Sequence, residues 1–537
     1  MTDIEIPYEK NRGRRYRFFE ILPGALSWFM LVLPLLLSLI NVTVAAIFVF
    51  LYILIYLTRA FALSIRALQG YARLRRHQKF DWQTMLKEIE SGEVESADAK
   101  RPKWHYENLL RLSVQPPVIK PSEILHAVIV ATYKEAREII EPTIESIINS
   151  EYDKKKLILI IAYEERGGEA IARQSAELIA KYKGQFYDAM CIEHPKDIPG
   201  EIIGKGGNVT HAGREFKKYL AARDIDPLRV IVTTLDADNR PDKKYFAALS
   251  YLYSVYPDPE HVSFQPIAMY TNNIWDAPAP MRVVATGNTF FHIASSQRPH
   301  MLHNFSAHAQ SMKALIDMDF WSVRTIVEDG HHYWRSYFRF NGNYRVLPIY
   351  VPIYQDAVLT DKYIKTLKAQ FIQYRRWTWG ASDIAYVANQ GFFKKNSVPR
   401  HDLLPKFFRL IESHVTWAVG PIISLCAGFI PALINPKSFT ANELPIILSH
   451  IQTVALVASL ASLFICLKTL PPKPARYKRH RSLFMVLQWV YMPVTGIVYN
   501  CFAALYSQTR LMLGKYIDKF DVTEKAVVVG DDGTKVS

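Results

Sequence analysis

The sequence predicts an α/β domain, built on a mainly parallel sheet with helices on both faces and inserted between N- and C-terminal transmembrane helices. Three observations lead there. The apolar residues, 50% of the 537-residue chain, are bunched at its two ends. Between them, runs of β-branched residues alternate with helix-like stretches, the pattern of a sheet buried on both faces. The basic residues gather beside the apolar segments, as cytoplasmic membrane flanks do.

The net charge of +15 raises nucleic acid as a partner. Its placement argues otherwise. Arg12, Arg14, Arg15 and Arg17 precede the first apolar stretch, and Arg73, Arg75, Arg76 and Lys79 follow it. Lys473, Arg476, Lys478, Arg479 and Arg481 sit between two later ones. Such clusters set orientation in a bilayer and meet its anionic headgroups. Of four cysteines, Cys426, Cys466 and Cys501 lie in apolar segments and Cys191 stands alone, so neither a disulfide framework nor a zinc spacing is present. That suits a reducing compartment. The first apolar stretch runs from Leu22 to about Leu68 and shows no small-residue cleavage site, unlike a signal peptide.

A span needs roughly 20 apolar residues. Residues 21–66 supply two, behind a basic cytoplasmic N-terminus at 1–20; residues 67–122 follow as a cytoplasmic linker with an amphipathic helix. The soluble domain is expected over 123–364, with strands at 126–131, 156–162 and 229–235 and helices at 139–149 and 170–183. Residues 365–409 read as interfacial helices and 410–468 as two further spans. Over 469–508 a basic loop leads into a segment interrupted by Pro493 and Gly496. Basic residues on both sides of it favour a re-entrant or interfacial course over a third C-terminal span. A cytoplasmic tail fills 509–537.

Three motifs carry chemistry. The third strand ends in Asp236-Ala-Asp238, whose carboxylates, two apart on a strand, face the same way. Paired hard oxygens suit Mg²⁺ or Mn²⁺, which complete their shells with substrate phosphates. Alone, Asp-x-Asp is an ordinary turn; after a buried parallel strand it lies where such sheets bind ligands. Glu328-Asp329 opens a helix expected over 331–339. Acids there usually cap or offset the dipole, but an Asp so placed can also take a proton from a hydroxyl. Gln373, Arg376 and Trp377, spaced i, i+3, i+4 in a helical stretch at 365–389, share one face. They offer a hydrogen-bonding amide, a pyrophosphate partner and a flat wall for a sugar, on a helix that also reads as amphipathic and interfacial.

Together these elements resemble the processive branch of family 2 glycosyltransferases, the cellulose and hyaluronan synthases, whose GT-A core carries an Asp, Asp-x-Asp, Glu-Asp, Gln-x-x-Arg-Trp pattern. Three of the four match in order, and the resemblance covers roughly residues 123 to 525. It implies that Ala131-Thr132-Tyr133-Lys134-Glu135 holds the uridine of a UDP-sugar and that Asp236 and Asp238 bind the diphosphate through Mg²⁺ or Mn²⁺. Asp329 would be the base, with Glu328 beside it; Gln373, Arg376 and Trp377 would hold the pyrophosphate and the acceptor end. Lys205-Gly-Gly-Asn208 is similar to the family's Lys-x-x-Asn segment near the diphosphate and lacks the spacing of a P-loop. Phe520, Val522, Thr523 and Lys525 resemble the Phe-x-Val-Thr-x-Lys gating loop of bacterial cellulose synthases.

The chain also departs from that pattern. Tyr163-Glu164-Glu165-Arg-Gly-Gly168 stands where the family has Asp-Asp-Gly, so longer acids, Glu164 and Glu165, would meet the nucleoside. His292, His300, His303 and His308 show no zinc spacing and are expected on an acceptor loop or plain surface. Only about four full spans are counted.

The resemblance implies an inverting transfer from a nucleotide-diphosphate-sugar to a growing polysaccharide at the cytoplasmic membrane face. Transfer of one sugar to a lipid carrier or glycolipid is the competing enzyme reading, favoured by the short span count. A catalytically inactive membrane scaffold is the third; the spans carry few of the charges that would mark it.

Overall fold

The computed structural model describes residues 4–94, 101–517, 528–529 and 535–536. Eight strands form one mixed sheet in the order β3-β2-β1-β4-β7-β6-β8-β5. β1 (Leu125–Thr132), β2 (Leu157–Glu164), β3 (Asp188–His194) and β4 (Val230–Asp236) are mutually parallel. The other half is irregular. β7 (His308–Ser311) runs antiparallel to both β4 and β6 (Val262–Tyr270). β6 pairs in parallel with β8 (Arg345–Gln355), with a register shift at Pro266/Ile267, and the two-residue β5 (Arg240–Pro241) closes the edge. Six of the eight strands thus point the same way, as a mainly parallel sheet requires, and β7 and β5 are reversed.

Both faces of the parallel half are covered because β1, β2 and β4 bury nearly every residue, with apolar side chains facing both ways. In β1, Val128 and Val130 pack toward α5 (Arg137–Ile148) and α8 (Tyr245–Val255), in one core with Ile140, Ile144 and Phe246. Ala127 and Ile129 face the other way, with Phe216 and Leu220 of α7 (Lys205–Ala221) and Met312 of α10 (Met312–Asp317). Each such side chain, once buried, contributes about 1.5–3 kcal/mol. α6 (Glu169–Tyr182) covers the β2–β3 edge.

Residues 82–94 and 101–114, expected as linker, are part of this body. α3 (Trp82–Ser91) and α4 (Lys103–Val114) share the core through Trp82, Leu86, Leu109 and Leu112. Their charges are internally satisfied: Glu88, fully buried, bonds Arg101 at 2.9 Å and His105 at 2.9 Å, while His105 also meets Tyr251.

Among the described residues five helical segments are long and apolar enough to cross a membrane, one more than the sequence count. They are α1 (Arg14–Ile40), α2 (Val42–His77), α14 (Arg400–Cys426) continuing through α15 (Ile430–Ile434), α16 (Phe439–Thr469), and a broken stretch from α17 (His480–Leu487) through α18 (Met492–Thr495) to α19 (Ala503–Met512). The last stretch starts and finishes against the soluble body and the helices that adjoin it. Near its beginning Arg481 donates to Trp275 O and Arg476 meets Asp276 at 2.8 Å. Near its end Thr378 donates to Ala503 O, and Arg17, just ahead of the apolar run of α1, donates to Leu511 O.

Candidate active site

The parallel and mixed halves of the sheet meet at β4, which has β1 on one side and the reversed β7 on the other. Crevices beyond strand ends at such reversals are where open α/β sheets bind ligands. β4 ends in Asp236, held by its neighbours from both halves. Lys205 Nζ, on the first residue of α7, lies 2.6 Å from Asp236 Oδ1 and also donates to Ser306 O at 3.1 Å. The Ser306 hydroxyl donates to Asp236 Oδ2. Burial by itself would lower the Lys205 ammonium, but Asp236, Glu328 and Asp329 outweigh it and hold it above its ordinary value.

Asp238 lies beyond the end of the strand, where alternation no longer sets its direction. The strand stops at Asp236, and a turn closed by Asn239 N–H to Asp236 O carries Asp238 toward β8. There Asp238 Oδ2 accepts the Asp356 N–H at 3.2 Å, and its carbonyl accepts from Asn272. Both acids bear on the buried Tyr270 hydroxyl, which burial raises above its usual range, with Tyr374, Asp236, Asp238 and Asp329 adding to the rise. Among the described residues no three His, Cys, Asp or Glu side chains gather as a metal cage. The donor set fits a hard divalent ion of the kind that arrives with substrate phosphates and needs one or two carboxylates, here Asp236 and Asp238.

Glu328 and Asp329 open α11 (Glu328–Arg339) directly against this cluster. A Cβ on Gly206 would stand 2.4 Å from Ser322 O and 3.1 Å from Glu328 Cβ, so the glycine after Lys205 lets the α7 and α11 termini touch. Glu328 is buried; burial, and then the charge of Asp329, push its carboxyl well up. Burial also raises Asp329, which is half-buried and accepts the Gly330 N–H at 2.7 Å. A carboxylate raised in this way is a better proton acceptor than an ordinary surface one.

The Gln-x-x-Arg-Trp helix is α12 (Tyr363–Trp377); the helical stretch expected through 389 continues from it as a tighter 3-10 turn (Thr378–Ser382), α13 (Asp383–Ala388) and a wider turn from Asn389. Trp377 is half-buried, 5.0 Å from the Tyr374 ring and 6.5 Å from Tyr270, which joins it to the carboxylates. Arg376 is buried, and Gln373 accepts from Gln370 on its own helix at 2.9 Å. Just beyond, Trp379 packs with Ile326 and Val327, the residues that lead into Glu328.

The expected nucleoside residues lie on adjoining loops. Glu135 Oε2 accepts from the Thr132 hydroxyl and from the Tyr133 and Lys134 N–H groups, bracing the loop after β1. Gly167 lets the next loop approach, since a Cβ there would lie 2.2 Å from Tyr133 O. Glu164 and Glu165 are held by the protein itself: Glu164 by Arg166 and His194, both at 3.2 Å, and Glu165 by the Lys196 N–H at 2.9 Å. His194 also meets Glu201 at 3.0 Å. Burial works against its charge, yet the two glutamates raise the imidazole to about 9.

No motif pointed to Ser306, Tyr270, Asp356 or His194. The histidine-rich stretch is neither metal site nor, for the most part, surface. His292 is buried edge-on to Phe305, His303 stacks on Tyr333 at 4.2 Å, and His308 bonds Phe305 O and Trp321; only His300 of the four is exposed. Phe520, Val522, Thr523 and Lys525 lie outside the described residues.

No protein-family model matches the chain, and no curated protein matches it in sequence. Among solved structures it is similar to the mannosyltransferase PcManGT from Pyrobaculum calidifontis in complex with GDP-Man and Mn²⁺, at 15% identity and a TM-score of 0.39, over 84% of this chain and 100% of that one. It is similar to S. aureus TarS 1-349 in complex with UDP-GlcNAc at 10% identity and 0.36, over 76% and 95%. GalNAc-T7 with UDP, GalNAc and Mn²⁺ matches at 12% and 0.33, over 55% and 57%. Superpositions this loose do not decide function, which has to come from the side chains of the cleft.

Proposed function

We propose that this chain is a membrane-embedded inverting glycosyltransferase, taking a sugar from a nucleotide-diphosphate donor, UDP by resemblance, and adding it to a growing polysaccharide at the cytoplasmic membrane face. The observation that carries this is the convergence, at the end of β4, of an Asp236–Lys205 pair with the raised carboxyl of Asp329. One group set suits a leaving diphosphate; the other suits an incoming hydroxyl.

In this reaction Asp329 removes the proton of an acceptor hydroxyl as its oxygen bonds the anomeric carbon, and the bond from that carbon to the diphosphate breaks on the opposite face. Lys205 and Arg376 meet the charge that develops on the leaving group. Asp236 and Asp238 would hold a divalent ion, which when bound supplies positive charge at the diphosphate. Tyr270 and Trp377 wall the place of the sugar and the acceptor end, a use suited to flat aromatic faces. Thr132, Tyr133, Glu135, Glu164 and Glu165 border the nucleoside.

The test is hydrolysis and transfer by the detergent-purified protein with a panel of nucleotide-sugars, with and without Mg²⁺ or Mn²⁺. Metal-dependent release of a nucleoside diphosphate from one donor, lost in Asp238→Asn, is expected. Silence across the panel, joined to absence of metal-dependent nucleotide binding, would return the chain to the scaffold reading. Product length separates polymer growth from single transfer to a lipid.

A further inference from the structure

Two helices change character at the same height. α2 is apolar from Val42 to Thr58 and then carries Arg59; α14 carries Arg409 and Glu412 just as its own apolar run begins. The structure brings these points together: Arg59 contacts Glu412, and Arg409 lies 3.4 Å from it. Helices that meet at their polar-to-apolar transitions share one membrane boundary.

More positive charge collects there than the boundary needs. Arg66 follows Arg59 by seven residues, on the same helix face and about 10 Å further along the axis. Arg298, in the loop after α9 (Ala279–Ser295), faces them from the soluble body. The approach is close: Gly70 of α2 leaves no room for a Cβ against Ile293 O, which would lie 2.4 Å away, and Gln297 shares the Tyr350 hydroxyl with Arg73. Burial, and then Arg66, Arg409 and Arg59, lower the Arg298 guanidinium. Four arginines from three segments thus gather where Glu412 meets only two of them, Arg59 and Arg409. Among the described residues no carboxylate pairs with Arg66 or Arg298, and both are half-buried. Arginines that only set orientation would spread around a helix into bulk headgroups; these converge.

We propose that Arg59, Arg66, Arg298 and Arg409 form a site for the phosphate headgroup of an anionic membrane lipid, seated between α2 and α14 at the bilayer surface. Guanidinium forks match phosphate oxygens in geometry and charge. A headgroup there offsets the mutual repulsion and clamps the soluble body to the membrane helices. The site stands whether or not the sugar-transfer reading does.

The probe is a nanodisc of phosphatidylcholine with a minor share of phosphatidylglycerol. After extraction and delipidation, lipid retained by the protein is counted by native mass spectrometry. The wild type is expected to enrich phosphatidylglycerol several-fold over its share; the double variant Arg66→Gln/Arg298→Gln loses that enrichment, and the exposed Arg75→Gln keeps it. Should the double variant aggregate, Glu412→Gln carries the test, because removing the acid raises retention. Equal enrichment in wild type and double variant, or none in either, overturns the proposal. So does displacement of the lipid by millimolar inorganic phosphate alone, which assigns a soluble anion instead.

Discussion

The two halves of the sheet do different work. β3-β2-β1-β4 is regular, parallel and apolar on both faces, and it carries the loops with Thr132, Glu135, Glu164 and the helix that starts at Lys205. β7-β6-β8-β5 is uneven in length, bulged and proline-bearing, and from it and its connections come Ser306, Tyr270, Asp356 and the Glu328-Asp329 turn. In the first half glutamates are tied down by their neighbours; in the second, two acids are left raised side by side. On the proposed reading the regular half orients a donor and the irregular half holds the base, a division of labour with Asp236 on the seam.

The sharpest way to break that comparison is Asp329→Asn. If the mixed half supplies the base, turnover falls by about 10²–10⁴-fold while nucleotide affinity stays, measured by diphosphate release alongside calorimetric nucleotide binding. Loss of binding instead would move Asp329 to the orienting half. The raised carboxyl also sets the sign of the pH dependence: the deprotonated form is the active one, so the rate falls with acidification at a midpoint above the ordinary Asp value of about 4.

Lys205→Met probes the seam. It removes the ammonium from Asp236 and from the diphosphate, and donor affinity is expected to drop about 10–100-fold, the cost of one or two hydrogen bonds to a charged group. A change in rate with unaltered donor affinity would count against it.

Gly206→Ala tests the contact between the halves. Its methyl meets Ser322 O and Glu328, so the α7 and α11 termini must part, at a cost of about 1–3 kcal/mol in thermal or denaturant unfolding. A neutral result would mean the termini already move.

His194→Gln is the smallest effect and belongs to the regular half. The imidazole is raised, so its stabilisation is whole below about pH 6.5 and is lost as pH rises through about 9. The wild-type unfolding temperature should decline across that window, and the variant should show a flatter curve. Parallel curves would remove His194 from the account.

The division also explains what the sequence made legible. β1, β2 and β4 announce themselves because each holds a run of apolar residues in which β-branched side chains recur. β6 and β8 hide behind Pro266, Pro348 and Pro352, which argue against a central strand and which the fold accommodates with a register shift. Asp236, Glu328 and Asp329 were found because acids at element ends are conspicuous. Ser306 and Tyr270 carry no local signal; only tertiary folding brings them to Asp236 and Trp377. Residues 82–114 read as linker because the buried pairings of Glu88 and His105 are with partners distant along the chain or on the next helix. The buried histidines misled for the same reason, since a ring stacked on Tyr333 and a polar surface residue have the same letter.

α2 has a consequence for how an acceptor is met. Its 36 residues make an unbroken rod of about 54 Å, against roughly 30 Å for the hydrocarbon core. Beyond the bilayer it runs on to the soluble body, where Arg73 bonds Tyr350 and Gln78, just past its last turn, reaches Asp242 and Tyr354. Asp242 stands four residues after Asp238, so the rod ties its apolar end to the neighbourhood of the cleft. The cleft also adjoins the other apolar helices, since Tyr374 lies 6.4 Å from Trp417 and 6.3 Å from Tyr499. Inserting one helical turn after Arg66 would shift the far end of α2 by about 5 Å and pull Gln78 away from Asp242 and Tyr354.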